Sequence, residues 1–321
     1  MTNAQHFEFK SPSLSCKSTM VTVDVLERDP THKPRVVWSV DGKEVYRTDL
    51  CKIFSDLKFG AARTAIYSYD DESRAHAVGL NAGSIASPEH LAPVFLMWPG
   101  RRFNVNLVRG TAASEDVAGQ NVAEVPLMDG SAAPFFYGLR RAAGEPEALV
   151  FYDAPVKAEW NLTTAGDNSR TYGHVRITPA ETFEVEYVVD RSKARGDSCD
   201  LQSAASVSIY SPENLFQIFM ARTFISAEEF EQAKVAGLLG GVDESCGMLL
   251  NSLDGAATSK DFRVANEPAM HKILDLIGDI TFICPALPRV RIEITNGGHV
   301  SHRQIMERLI PYVSAGLFEK I

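Results

Sequence analysis

Three stretches of the chain alternate apolar and polar residues with a period of two. Val21, Val23 and Val25 interleave with Thr22 and Asp24; Phe103, Val105 and Leu107 with Asn104 and Asn106; Phe183, Val185 and Tyr187 with Glu184 and Glu186. Each predicts a strand with one buried face, and residues 290–294 read as another. Over residues 268–279 the spacing becomes helical. Ile273, Leu276, Ile277 and Ile280 cover one side, while His271, Lys272, Asp275 and Asp279 fall within an arc of about 100°. Capping boxes at Ser226/Glu229 and Ser301/Gln304 predict two further helix starts. Ser87 reads as an N-cap with Pro88 as the first helical residue, which puts Glu89 and His90 in a helical first turn. Residues 140–147 are polar and broken by Gly144 and Pro146. They predict a linker that divides the chain into residues 1–147 and 148–321. Residues 190–200 read as an exposed loop. The class is α+β.

Composition narrows the picture. A chain of 321 residues suits two domains, and 45% hydrophobic content is that of a globular protein. The net charge of −9 argues against a nucleic-acid partner. The apolar runs are too short for an integral membrane segment, and the polar N-terminal residues lack a signal peptide's core. Cys16, Cys51, Cys199, Cys246 and Cys284 show no CxxC spacing, so reduced thiols in a cytoplasmic protein are the expectation.

Candidate chemistry centres on the helix at 268–279. A His at i and an Asp at i+4 can reach one zinc ion, and a catalytic zinc keeps three protein ligands and one open position. His90, His271 and Asp275 supply the three, with Glu89 beside the open position. The alternative is a charged, solvated helix face with no ion. Alternatives also stand for single residues: a dipole-favoured acid for Glu89, a surface lysine for Lys272 and a local backbone partner for Thr223. Asp129-Gly130 reads as a turn rather than part of a site. His302, three residues after His299, is a second candidate acid.

Several strings together resemble the zinc-dependent UDP-3-O-acyl-N-acetylglucosamine deacetylases of lipid A biosynthesis (LpxC type). They are Glu89-His90-Leu91, Met128-Asp129-Gly130-Ser131-Ala132, Ala221-Arg222-Thr223-Phe224, Gly237-Leu238 with Gly240-Gly241, the run from His271 to Asp279, and Gly298-His299. They follow the family's order. The resemblance implies two similar domains, each a sheet packed on a pair of helices, with the active site where they meet. It also implies an inserted β-α-β element after Thr223-Phe224 that forms an apolar passage for an acyl chain. One zinc ion per chain is implied, with iron(II) as the alternative occupant of the same ligands. The implied reaction is amide hydrolysis in a Gram-negative cytoplasm. Glu89 is the general base, Thr223 and Lys272 are donors to the oxyanion, and His299 is the general acid kept protonated by Asp279.

Three departures bear on substrate. Residues 13–17 lack the histidine of the family's nucleotide-side segment, Thr295-Asn296-Gly297 stand where a basic residue usually lies just before Gly-His, and Asp153-Ala154 stand where a basic pair usually precedes Pro-Val. Two enzymatic readings follow: the family reaction on the acylated, UDP-linked sugar, or deacetylation of another N-acetylated amino sugar. A non-catalytic binder of the same fold is the third.

Overall fold

The computed structural model describes residues 5–14, 16–28, 35–49, 68–69, 76–80, 83–112, 122–164, 167–191, 201–235, 239, 242–251, 261–314 and 318–320. In chain order the first strands are β1 (Gln5–Ser11), β2 (Cys16–Val25), β3 (Arg35–Val40), β4 (Lys43–Asp49), β5 (Ser68–Tyr69), β6 (His76–Leu80), β7 (Gly83–Ala86), β8 (Arg102–Ala112) and β9 (Val122–Glu124). Two 3-10 turns, Pro88–His90 and Ala92–Met97, separate β7 from β8. After helix α1 (Ala133–Ala143) come β10 (Val150–Asp153), β11 (Ala158–Thr164), β12 (Asp167–Pro179), β13 (Phe183–Asp190) and β14 (Gln202–Ile209). Helix α2 (Pro212–Phe219), β15 (Phe224–Ser226), α3 (Ala227–Val235), β16 (Met248–Leu250), α4 (Glu267–Ile283), β17 (Leu287–Thr295), α5 (His299–Ser314) and β18 (Phe318–Lys320) complete the order. The protein is mixed α+β.

The alternating stretches form strands as predicted, because a period of two puts every second side chain on one face. Val21, Val23, Phe103, Val105, Leu107, Phe183, Val185 and Tyr187 are all buried. β2 and β8 pair antiparallel inside a five-stranded sheet ordered β1-β2-β8-β3-β4. β5, β6, β7 and β9 form a second sheet. A seven-stranded sheet gathers around β17, which runs antiparallel to β12 and parallel to β13 and β10. β15 and β16 pair parallel across α3, so a β-α-β unit follows Thr223.

Helix α4 is central. It packs on both 3-10 turns, on α2 and α5, and on β13 and β14. Its apolar side (Ile273, Leu274, Ile277, Ile280) is buried, each such side chain contributing about 1.5–3 kcal/mol. Phe282 near its end meets Trp38 of β3 at 5.1 Å between ring centroids.

Several local expectations need correction. Residues 140–143 are the last turn of α1, not linker; the break comes at Gly144, whose φ of 83° closes the helix. Arg140 and Arg141 belong there because cations favour a helix C-terminus. Ser301 is not a cap, since α5 begins two residues earlier; its Oγ accepts from Gly298 N and donates to Gly298 O, while Gln304 accepts from Trp160 Nε1 at 2.6 Å. The box at Ser226 does form: Glu229 N donates to Ser226 Oγ at 3.1 Å and Ser226 N to Glu229 Oε2 at 3.2 Å. Asp190 ends β13, and the rest of the predicted 190–200 loop, apart from Arg191, lies outside the described residues. Outside them too are Gly237, Leu238, Gly240, Gly241, Cys51 and Cys199; Cys16, Cys246 and Cys284 are buried and form no disulfide among the described residues. Among the described residues, no helix is long and apolar enough to cross a membrane.

Candidate metal centre

The Glu89–His90 segment is a three-residue 3-10 turn rather than the start of an α-helix. Pro88 opens it as expected, but Ser87 caps nothing. Its backbone is left-handed (φ 53°), and its Oγ donates to the buried Glu124 at 3.2 Å. Glu89 is buried against α4, in a turn too short to carry a helix dipole of any length. Contact is direct because position 278 lacks a side chain. A Cβ on Gly278 would lie 2.6 Å from both Cα and the carbonyl carbon of Glu89. Gly278→Ala is therefore expected to push the turn off the helix, at a cost of about 1–3 kcal/mol. Metal titration and a urea midpoint check this, and full metal affinity in a folded Gly278→Ala protein would contradict it.

The polar side of α4 is buried, not solvated. His271, Asp275 and Asp279 are each no more than 2% exposed. His271 Nε2 lies 3.1 Å from Asp275 Oδ1, and His90 Nε2 lies 3.6 Å from the same oxygen. One ligand atom from each of the three falls within 4.8 Å of the others. The donors fit a divalent ion, as two imidazole nitrogens and a carboxylate oxygen converge in a buried place. Burial lowers the His271 pKa against the pull of Asp275, favouring the neutral ring that ligates. Its Nδ1 lies 3.1 Å from the Ala221 carbonyl, which takes the Nδ1 proton and leaves the Nε2 lone pair toward the cluster. Burial opposes ionisation of Asp275, yet its carboxyl is held well below its usual range, with the Lys272 ammonium 2.8 Å from Oδ2. Beside them, Glu89 Oε2 is buried with no hydrogen-bond partner among the described residues, and burial raises its pKa.

Asp279, one turn beyond Asp275, takes two imidazoles on Oδ2: His299 Nδ1 at 2.9 Å and His302 Nδ1 at 2.7 Å. Burial works against the imidazolium of His299, yet Asp279, Asp275 and Glu89 prevail and push its pKa up to about 9. Its Nε2 faces the cluster, 3.8 Å from Asp275 Oδ2.

Lys272 is not a free surface lysine: Nζ pairs with Asp275 Oδ2 at 2.8 Å and sits over the Phe224 ring. Thr223 is held by its backbone, N donating to Gly130 O at 2.6 Å and O accepting from Met248 N at 2.8 Å. Asp129 serves the turn, accepting from Ser131 N and Oγ and pairing with Arg263 at 2.6 Å. Sequence reasoning missed the Ala221 carbonyl, the Gly278 contact and the buried Arg222–Glu267 pair (2.8 Å) next to Ala221. A glycine inside a helix is a signal of close approach that could have found the second.

Residues 115–311 match the family model described as UDP-3-O-acyl N-acetylglycosamine deacetylase (LpxC), and the chain belongs to that family. The UDP-3-O-acyl-N-acetylglucosamine deacetylase of Acidithiobacillus ferrooxidans is 32% identical over 174 residues, covering 49% of this chain and 49% of that protein. The like-named protein of Nitrosococcus oceani is 31% identical over 180 residues, covering 50% of each. The chain thus spans about half the length of the curated relatives it matches. The family match begins after Glu89 and His90, so it is the fold that brings those two to the cluster.

Proposed function

We propose that this protein is a zinc-dependent N-deacetylase acting on UDP-3-O-acyl-N-acetylglucosamine in lipid A synthesis. The observation that carries the reading is the buried convergence of His90, His271 and Asp275 beside the unpartnered Glu89 oxygen. A zinc ion held by those three residues would supply Lewis acidity and lower the pKa of a water at the site to about 7. Glu89 accepts the proton of the attacking water at Oε2. His299 holds a proton at Nε2 and gives it to the departing amine, while Asp279 retains the Nδ1 proton and the ring's orientation. In this reading Thr223 and Lys272 donate to the oxyanion. We also read residues 1–147 and 148–321 as two α+β domains, each a sheet on a pair of helices, with the site where they meet. In support, no strand pairing among the described residues joins one part to the other. Glu89 and His90 come from the first part and the remaining site residues from the second.

The test is acetate release from the acylated UDP-sugar by zinc-loaded protein, before and after chelation. Turnover that chelation removes and zinc restores supports the proposal; no turnover with zinc bound overturns it. The pH profile carries a further expectation. Activity requires ionised Glu89 and protonated His299. It therefore falls as pH drops through the raised Glu89 pKa and falls again as pH rises through about 9. A kcat profile still rising above pH 10 would remove His299 as the acid.

A second reading, deacetylation of a different N-acetylated amino sugar, is favoured by two positions. Asn296 is committed to structure, accepting from Asp190 N at 2.6 Å and donating to Tyr172 O at 3.0 Å. Asp153 pairs with Arg289 at 3.2 Å. Neither supplies a cation for a diphosphate. Competition by UDP separates the two readings.

A further inference from the structure

The second histidine on Asp279 lies outside the roles above. His302 is fully buried, and its two ring nitrogens have different partners: Nδ1 meets Asp279 Oδ2 at 2.7 Å, and Nε2 meets the Tyr187 hydroxyl at 3.1 Å. We propose that His302, bracketed by Tyr187 and Asp279, is a positioning residue that fixes the carboxylate on which His299 is oriented. The inference rests on the deacetylase reading for its kinetic consequence, but its geometry stands apart from the metal ligands.

The proton placement follows from the inventory of donors. An ionised carboxylate only accepts, so both imidazoles present N–H at Nδ1 to the same Asp279 oxygen. The two rings lie 5.5 Å apart, and two adjacent buried imidazolium ions would repel. Burial keeps His302 the neutral one of the pair. Its Nε2 is then a lone pair, and the Tyr187 hydroxyl donates to it. The chain of bonds acquires one direction: Tyr187 to His302, His302 to Asp279, and His299 to the same carboxylate from the other side.

Tyr187 is itself anchored. It lies on β13, paired with Ile294 of β17, and it is fully buried. The loop from β17 to α5 closes over its hydroxyl at Gly297, where a Cβ would come within 2.7 Å of both Tyr187 Oη and Ser301 Oγ. This gives the first glycine of Gly297-Gly298-His299 a physical reason. The His302 donor on the same oxygen that His299 uses restrains rotation of the carboxylate about Cβ–Cγ and keeps the His299 ring turned toward the cluster.

Three variants test the proposal: His302→Leu, His302→Asn and Tyr187→Phe. The amide nitrogen of Asn takes the place of His Nδ1, so His302→Asn keeps the donor to Asp279 and loses only the link to Tyr187. For each, kcat and KM for acetate release, zinc content, and the imidazole N–H proton resonances of 15N-histidine-labelled protein are measured. The His299 signal is assigned by its loss in His299→Ala. His302→Leu is expected to lower kcat by about 10–100-fold with KM and zinc content unchanged. The His299 N–H signal should exchange away in that variant. His302→Asn should recover most of kcat and keep the signal, and Tyr187→Phe should lie between. The proposal is overturned if His302→Leu retains kcat and the signal, or if a folded, zinc-bound His302→Asn shows no rescue. Should His302→Leu fail to fold, Tyr187→Phe against wild type makes the same comparison. If wild-type protein releases no acetate, the deacetylase reading fails, while the resonances still decide whether His302 orders His299.

Discussion

Glu89→Gln is expected to lower kcat for acetate release by about 10²–10⁴-fold while zinc stoichiometry stays at the wild-type value. The substitution is isosteric and keeps the turn seated on Gly278. What it removes is the one group in the cluster with both a raised pKa and an unpartnered oxygen. A carboxylate in that state is a stronger base than an exposed one, because burial destabilises its charged form. An amide cannot accept the proton. Glu89 is not among the converging ligand atoms of His90, His271 and Asp275, so binding of the ion should survive. Isothermal titration with zinc and a coupled acetate assay on the same preparation separate the two effects. Wild-type turnover by Glu89→Gln would sink the assignment of the base; loss of zinc would mean that Glu89 ligates.

The second large effect is on stability and lies beneath the site. Glu267→Ala is expected to destabilise the protein by about 3–5 kcal/mol, read as a lower urea midpoint. Glu267 and Arg222 are buried almost completely. Glu267 accepts from Arg222 Nε at 2.8 Å, Arg222 N at 2.9 Å, Arg222 Nη2 at 3.1 Å and Arg263 N at 2.6 Å. Removing the carboxylate strands a guanidinium and two backbone donors away from water. Replacing both partners with apolar residues, as in Arg222→Met/Glu267→Leu, leaves no orphaned charge and should cost much less. The same change reaches the metal centre, because Arg222 follows the Ala221 carbonyl that orients His271. Zinc affinity should therefore fall in Glu267→Ala at urea concentrations where the protein remains folded. A single variant no less stable than wild type would refute the reading of the pair as a structural brace.

The strands were legible because a single periodicity decides them: Val21, Phe103 and Phe183 each begin an alternation that only one sheet face can satisfy. The helix carrying His271 was legible for the same reason at a different period. Its setting was not. A polar stripe of His, Lys and Asp reads equally as a solvated face or a buried site, and only the turn at residues 88–90 lying across it distinguishes the two. The misread starts at Ser87 and Ser301 share a cause. A serine hydroxyl finds whichever donor or acceptor the fold brings near: Ser87 reaches Glu124 in place of its own turn, and Ser301, already inside α5, reaches back to the Gly298 backbone at the helix start.

The sequence by itself determined the α+β class, the strand faces, the i to i+4 spacing of His271 and Asp275 on α4 and the family strings. These are properties of neighbours along the chain, where spacing sets geometry. The sequence also named His90, about 180 residues before His271, but tertiary structure alone decided the distance at which it meets the cluster, that Gly278 admits Glu89, and that His302 and Tyr187 stand behind Asp279. Those contacts depend on how sheets and helices pack, and packing sums many small terms that no local pattern of residues contains.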